Sequence, residues 1–201
     1  MQENSLAAIS VNSLRARDRL ARILRGSPRR EVSSPSATDT EPQPLLRRLA
    51  ELTTLLREEH LVTLTGPAGA GKSTLARALR EVVRDEFEAG ICYVDVSGVG
   101  TMREFLELVG HAVEAGPVPP STADAIVTLE TTFGRRGRTL LLIDGCDDIA
   151  LLAGDCLERW VGGADTLTVL VTCREPLGVY GERECHLDAT ARPDAARRGA
   201  A

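Results

Sequence analysis

The segment Gly66-Pro67-Ala68-Gly69-Ala70-Gly71-Lys72-Ser73 carries the spacing G-x-x-x-x-G-K-S, and each residue type in it suits the handling of a polyphosphate. Glycines at 66, 69 and 71 let the backbone turn successive N–H groups inward, forming a nest that matches phosphate oxygens. A helix starting at Lys72 would add the partial positive charge of its N-terminus. The Lys72 ammonium is expected between the β- and γ-phosphates, the Ser73 hydroxyl on Mg²⁺, and Thr74 near the α-phosphate. A glycine-rich turn without a ligand would leave that lysine and nest without a packing reason.

A second chemical feature ends the apolar run Leu140–Ile143, where Asp144 stands as an acid at a buried strand end. An aspartate in that position holds Mg²⁺ through its water shell, so Ser73 and Asp144 form the expected metal pair. Asp147 and Asp148 follow closely. Either could orient an attacking water, and both also suit the start of a helix. A third polar strand end, "VLVTCREPLGVYGE" at Val169–Glu182, offers Thr172 and Arg174 beside the phosphates. The alternative reading of Arg174 is a strand cap paired with Glu175.

The elements that must position these residues are legible as alternating short apolar runs and helical stretches, the pattern of a mostly parallel sheet covered by helices. Strands are expected at 61–65, 91–96, 139–144, 166–172 and 184–187, and helices at 45–59, 72–88, 101–114, 122–133 and 149–161. The helix at 45–59 is amphipathic, with apolar residues three and four apart. Residues 1–25 form a candidate basic helix, with Leu6, Ile9, Leu14, Leu20 and Leu24 loosely at helical spacing among seven arginines from Arg15 to Arg30. Those arginines could touch a phosphate backbone or an acidic surface; without interleaved aromatics the simpler reading is a solvated basic tail. Residues 26–44, rich in Pro, Ser and Thr, read as a disordered linker. Residues 45–188 form the nucleotide-binding domain and 189–201 a frayed tail.

Composition sets outer limits. An apolar content of 43% in 201 residues supports one domain with a real core. The net charge of -5 argues against a surface built throughout for nucleic acid. Five cysteines without a C-x-x-C pair, and no signal-peptide core, fit a reduced cytoplasmic setting. The apolar runs fall short of the roughly 20 residues of a membrane helix. The three histidines are dispersed, which argues against zinc. Cys146 and Cys173 read as small buried residues, and Trp160 as core.

Among proteins with this phosphate loop, a GTPase would carry N-K-x-D or T-K-x-D, which this sequence lacks. A small-molecule kinase would carry an Arg-rich lid after its acceptor site, whereas "FGRRGRT" at Phe133–Thr139 precedes the Asp144 strand and suits a surface turn. The set "LVTLTGPAGAGKSTLA", "ICYVDVSGV", "LLLIDGCDDI" and "VLVTCREPLGVYGE" resembles the nucleotide-binding domain of STAND ATPases. Its closest likeness is the NB-ARC or AP-ATPase branch of bacterial LuxR-type and SARP-type transcription regulators.

The resemblance covers about residues 45–187. It implies an α/β P-loop NTPase three-layer sandwich with a mostly parallel five-stranded sheet, in which the strand ending in Thr172 and Arg174, the sensor strand, separates the phosphate-loop strand from the Walker B strand. It also implies an ATP/ADP switch with Mg²⁺, in which ADP holds a closed form and ATP favours an open one that assembles with copies of itself or a regulatory partner. Relatives typically read T-S-R-E-P-L-G and D-N-C-E-H where this chain has Cys173 and Gly145-Cys146-Asp147-Asp148, and Asp147 in place of the usual glutamate implies slow hydrolysis. The V-G-R motif before the first helix is absent. The helical, winged-helix, repeat and DNA-binding modules of such relatives are not expected after Leu187, so the chain is expected to be a stand-alone remnant or a piece of a longer regulator. A non-hydrolysing, nucleotide-stabilised interaction module and a small-molecule kinase remain the alternatives.

Overall fold

A computed structural model describes residues 43–188. The candidate helix of residues 1–25, residues 26–42 of the expected linker and the tail 189–201 lie outside them, while residues 43 and 44, expected as the end of the linker, already belong to the first helix. The described chain runs α1 (Gln43–Glu58), β1 (Leu61–Thr65), α2 (Lys72–Val83), β2 (Ile91–Asp95), α3 (Met102–Ala112), α4 (Thr122–Arg135), β3 (Thr139–Asp144), α5 (Ala150–Gly163), β4 (Leu167–Thr172) and β5 (Glu182–His186). Short 3₁₀ turns at Arg84–Glu86 and Cys146–Asp148 follow α2 and β3.

The five strands form one sheet in the order β2-β3-β4-β1-β5, and every pairing is parallel. This is the expected architecture, with the strand of Thr172 between the phosphate-loop strand and the strand of Asp144. The expected helix 72–88 stops at Val83 and tightens into the 3₁₀ turn. β5 starts at Glu182 rather than 184, because that residue pairs with Leu61 where β1 begins.

Continuous apolar strands arise here because helices cover both faces of the sheet. Side chains alternate across a strand, so Leu140 and Leu142 of β3 join Leu170 of β4 and Val62 and Leu64 of β1 under α1 and α2. Leu141 and Ile143, with Val169 and Val171, face α3, α4 and α5. On that second face Trp160 is buried, its ring 6.1 Å from Phe105 and 5.2 Å from Phe133, and its Nε1 donates to the Ile126 carbonyl at 3.1 Å. A buried indole with its single donor satisfied is core, as the sequence suggested.

Two helix starts are closed by side chains. Thr101 accepts from the Glu104 backbone N–H at the start of α3, and Ser121 accepts from that of Asp124 at the start of α4, satisfying donors that a helix otherwise leaves unpaired. The start of α2 is different: its N-cap is Gly71 in a left-handed conformation, with no side-chain cap.

Candidate functional site

β1 delivers the chain into the phosphate loop through Gly66, at φ 142°. A Cβ on Gly66 would lie 2.2 Å from the Leu187 carbonyl oxygen, so only glycine lets the end of β5 pack against the loop entrance. Thr65 Oγ1 donates to Glu184 Oε1 at 2.5 Å and lies 3.0 Å from His186 Nδ1, fixing β5 there from the other side. Gly69 and Gly71 have φ of 80° and 92°, and a Cβ on either would meet nothing within 4 Å. Their loop is therefore open where an anion would enter, above the uncapped start of α2.

Pro67, Ala68 and Gly69 are exposed, Ala70 is buried and Thr74 is exposed on the first turn of α2. Lys72 Nζ folds over the loop to donate to the carbonyls of Gly66 at 2.6 Å and Pro67 at 3.1 Å. An ammonium parked on neutral carbonyls can exchange them for a charged oxygen.

Asp144, only 3% exposed, is surrounded by donors. Its Oδ1 accepts from Ser73 Oγ at 2.8 Å and from Thr172 Oγ1 at 2.6 Å. Its Oδ2 accepts from the Tyr93 hydroxyl at 2.7 Å and has Arg77 Nη2 at 3.6 Å. Thr172, 1% exposed, also accepts from the Gly145 N–H at 2.9 Å. Its hydroxyl is thus committed to Asp144 and the turn after β3. Ser73, Asp144 and Thr172 meet at the strand ends; the sequence reading paired Ser73 with Asp144 but set Thr172 beside the phosphates rather than on the carboxylate.

Asp147 sits elsewhere. Its Oδ1 accepts from the Arg174 backbone N–H at 2.6 Å and contacts Cys173 Sγ at 3.5 Å, and its Oδ2 lies 3.5 Å from Arg174 Nε. Arg174 therefore pairs with Asp147, not Glu175, because the turn after β3 packs on the end of β4. The Arg174 carbonyl also accepts the Gly66 N–H at 3.3 Å, so one residue ties the turn to the phosphate loop. Asp148 is exposed and has no hydrogen-bond partner among the described residues. Neither acid caps α5, whose N-cap is Ile149 without a side-chain bond.

Two residues at the site carried no motif. Tyr93 on β2 and Arg77 on α2 complete the surroundings of Asp144, with the guanidinium 5.9 Å above the tyrosine ring and Nη2 3.3 Å from its hydroxyl. Burial pushes the Tyr93 phenol above its ordinary range, and its hydrogen bond raises Arg77. The only signal for Arg77 was its place one helical turn after Ser73. Asp95, register partner of Asp144, is held below the usual carboxylate range by hydrogen bonds from Ser97. Cys146 and Cys173 are buried, and burial raises both thiols, Cys146 to about 12.

A glycine-rich loop between a buried parallel strand and an uncapped helix, facing a strand-end carboxylate, defines a P-loop NTPase domain. Residues 56–175 match the AAA domain family. The chain belongs to that family and is an AAA-type P-loop ATPase domain.

A Mycobacterium tuberculosis protein named as an HTH-type transcriptional regulator is 32% identical over 129 residues, which are 64% of this chain and 14% of that protein. An uncharacterized protein of the same organism is 32% identical over 134 residues, 67% of this chain and 33% of its own length. A CD-NTase-associated protein of Escherichia coli is 34% identical over 106 residues, 50% of this chain and 32% of that protein. The chain thus matches a third or less of the length of each of these relatives.

Among solved structures, a STAND protein with a tetratricopeptide repeat sensor from Pyrococcus horikoshii aligns with a TM-score of 0.50 at 18% identity, over 80% of this chain and 24% of that one. Cdc6p from Pyrobaculum aerophilum aligns with a TM-score of 0.55 at 19% identity, over 77% and 48%. These share the fold. No helix among the described residues is long and apolar enough to cross a membrane.

Proposed function

We propose that the domain binds Mg·ATP and ADP and works as a nucleotide-dependent regulatory switch of STAND type with slow ATP hydrolysis. The observation that carries this reading is the 2.8 Å contact between Ser73 Oγ and Asp144 Oδ1 beside an open loop and an uncapped helix start. A hydroxyl and a carboxylate in contact are hard oxygen donors suited to Mg²⁺, and Ser73 and Asp144 are the residues to hold it. The bound cation would neutralise charge on the β- and γ-phosphate oxygens.

Backbone N–H groups of the loop between Pro67 and Ser73 cradle the phosphates, and Thr74 adds a hydroxyl at the α-phosphate. Lys72 leaves the Gly66 and Pro67 carbonyls for phosphate oxygens. Thr172 orients Asp144, and Arg174 reports the state of the loop to the turn that Asp147 holds. Asp147 and Asp148 are the acids available to orient water. A regulatory role is supported by the mycobacterial relative named as a transcriptional regulator; a further copy of the chain or a regulatory protein is the partner such a switch would engage.

Isothermal titration with ADP and Mg²⁺ tests this: the wild type should bind and Lys72→Ala should lose most of that affinity. Equal binding by both would remove the loop from the account.

A second reading, a non-hydrolysing nucleotide-stabilised module, has one observation in its favour. Both carboxylate oxygens of Asp147 are engaged by Arg174, which leaves that acid less free to act as a base. Single-turnover assays separate the two. Release of phosphate that is lost in the Asp144→Asn, Asp147→Asn double variant supports the switch enzyme, and intact binding without turnover supports the module.

A further inference from the structure

Arg77 lies one helical turn after Ser73, and its side chain is 62% exposed. Even so, it is aimed inward, at Tyr93 and at Oδ2 of Asp144. Every other partner of Asp144 is a neutral hydroxyl, from Ser73, Thr172 or Tyr93. Arg77 is the one cation within ion-pair distance of this carboxylate among the described residues. A carboxylate withdrawn from water is costly unless a positive charge compensates it, and hydroxyl donors supply only part of that compensation.

Tyr93 makes the arrangement directional. Its ring lies beneath the guanidinium, a cation–π geometry. Its hydroxyl donates to Asp144 while lying 3.3 Å from Arg77 Nη2. The tyrosine therefore props the arginine against the carboxylate.

We infer that Arg77, propped by Tyr93, compensates Asp144 in the nucleotide-free domain and opposes uptake of a divalent cation there, so that it sets how strongly nucleotide binding depends on the metal. This rests on the nucleotide-binding reading above. Arg77 and a divalent cation carry like charge and would share one carboxylate, so uptake of the cation requires the guanidinium to withdraw. Its exposure and long flexible stem make that withdrawal into solvent easy. Arg77 is a positioning residue in this scheme and makes no contact with the reacting atoms.

The experiment is titration of ADP by calorimetry, once in EDTA and once at saturating Mg²⁺, for the wild type, Arg77→Gln and Arg80→Gln. Arg80 is also an exposed arginine of α2, but its ion-pair contact is Glu81, so it controls for loss of one charge. The quantity read is the ratio of the two ADP affinities, which a purely structural role would leave alone. Arg77→Gln is expected to raise the enhancement by Mg²⁺ about two- to fivefold, the range of an exposed ion pair, with the EDTA affinity unchanged and Arg80→Gln like the wild type. An unchanged or lowered ratio in Arg77→Gln would overturn the inference, as would an equal rise in Arg80→Gln. A fall in EDTA affinity would overturn it too, since it would assign Arg77 to the phosphates. If the wild type binds ADP in neither condition, the function proposed above fails with it; if the wild type binds with enhancement by Mg²⁺ and only the Arg77→Gln ratio fails to rise, the inference alone falls.

Discussion

Asp144 and Asp147 lie three residues apart, yet they occupy opposite kinds of surroundings. Asp144 ends a buried strand and receives three hydroxyl groups from three different elements, β2, α2 and β4. Asp147 lies in a half-exposed 3₁₀ turn and is held from the end of β4, by the Arg174 backbone N–H and guanidinium and by the Cys173 thiol. The first carboxylate is fixed by the sheet, because the strand order sets the positions of its donors. The second is fixed by a contact between the turn after β3 and the residues that follow β4. An acid meant to hold a cation benefits from the first kind of support, and an element meant to switch needs the second.

Gly145 separates the two regions, and its substitution should have the largest effect on stability. Its φ is 78°, and a Cβ there would lie 2.1 Å from Ser97 Oγ. Gly145→Ala should therefore cost about 2–4 kcal/mol, combining left-handed strain with overpacking, as read from urea unfolding. A cost under 1 kcal/mol would mean that the hinge between the regions is soft.

Thr172→Val comes next. It removes a donor from Asp144 and leaves the Gly145 N–H without its acceptor, so about 1–3 kcal/mol should be lost. Asp147→Asn keeps an acceptor for the Arg174 N–H and should cost about 0.5–1.5 kcal/mol. A larger loss for Asp147→Asn than for Thr172→Val would reverse the contrast drawn here. Asp148→Asn, at an exposed acid whose side chain has no partner among the described residues, should fall within about 0.5 kcal/mol of the wild type, and any larger shift would reveal a role for Asp148 in holding the turn.

What the sequence disclosed, and what it did not, follows the same division. Strand positions were legible because apolar runs such as Leu140–Ile143 can only be buried on both faces, whereas the order that places β4 between β1 and β3 was implied by the resemblance to STAND ATPases. The pairing of Ser73 with Asp144 was legible because each begins or ends an element at the C-terminal end of the sheet, while the contact of Thr172 with Asp144 was not, since the sequence placed that hydroxyl beside the phosphates. Tyr93 and Arg77 were not, since a tyrosine within a strand and an arginine on an exposed helix turn look alike whether or not they converge on a carboxylate. The pairing of Arg174 with Asp147 was hidden for a related reason. It depends on how two loops from different strands pack, and the sequence offered only the phosphates or the adjacent Glu175 as partners for Arg174. The start of β5 escaped because its residues, Glu182 to His186, are mostly polar and the strand is set by pairing with β1 rather than by burial.

Asp144, at the end of β3, is the acid proposed to hold the cation of a nucleotide site. The most direct measurement is the Mg²⁺ dependence of ADP binding in Asp144→Asn, with circular dichroism melting to verify that the variant is folded. ADP binding in EDTA should persist while the enhancement by Mg²⁺ disappears. A folded Asp144→Asn domain that retained the full enhancement would contradict the account.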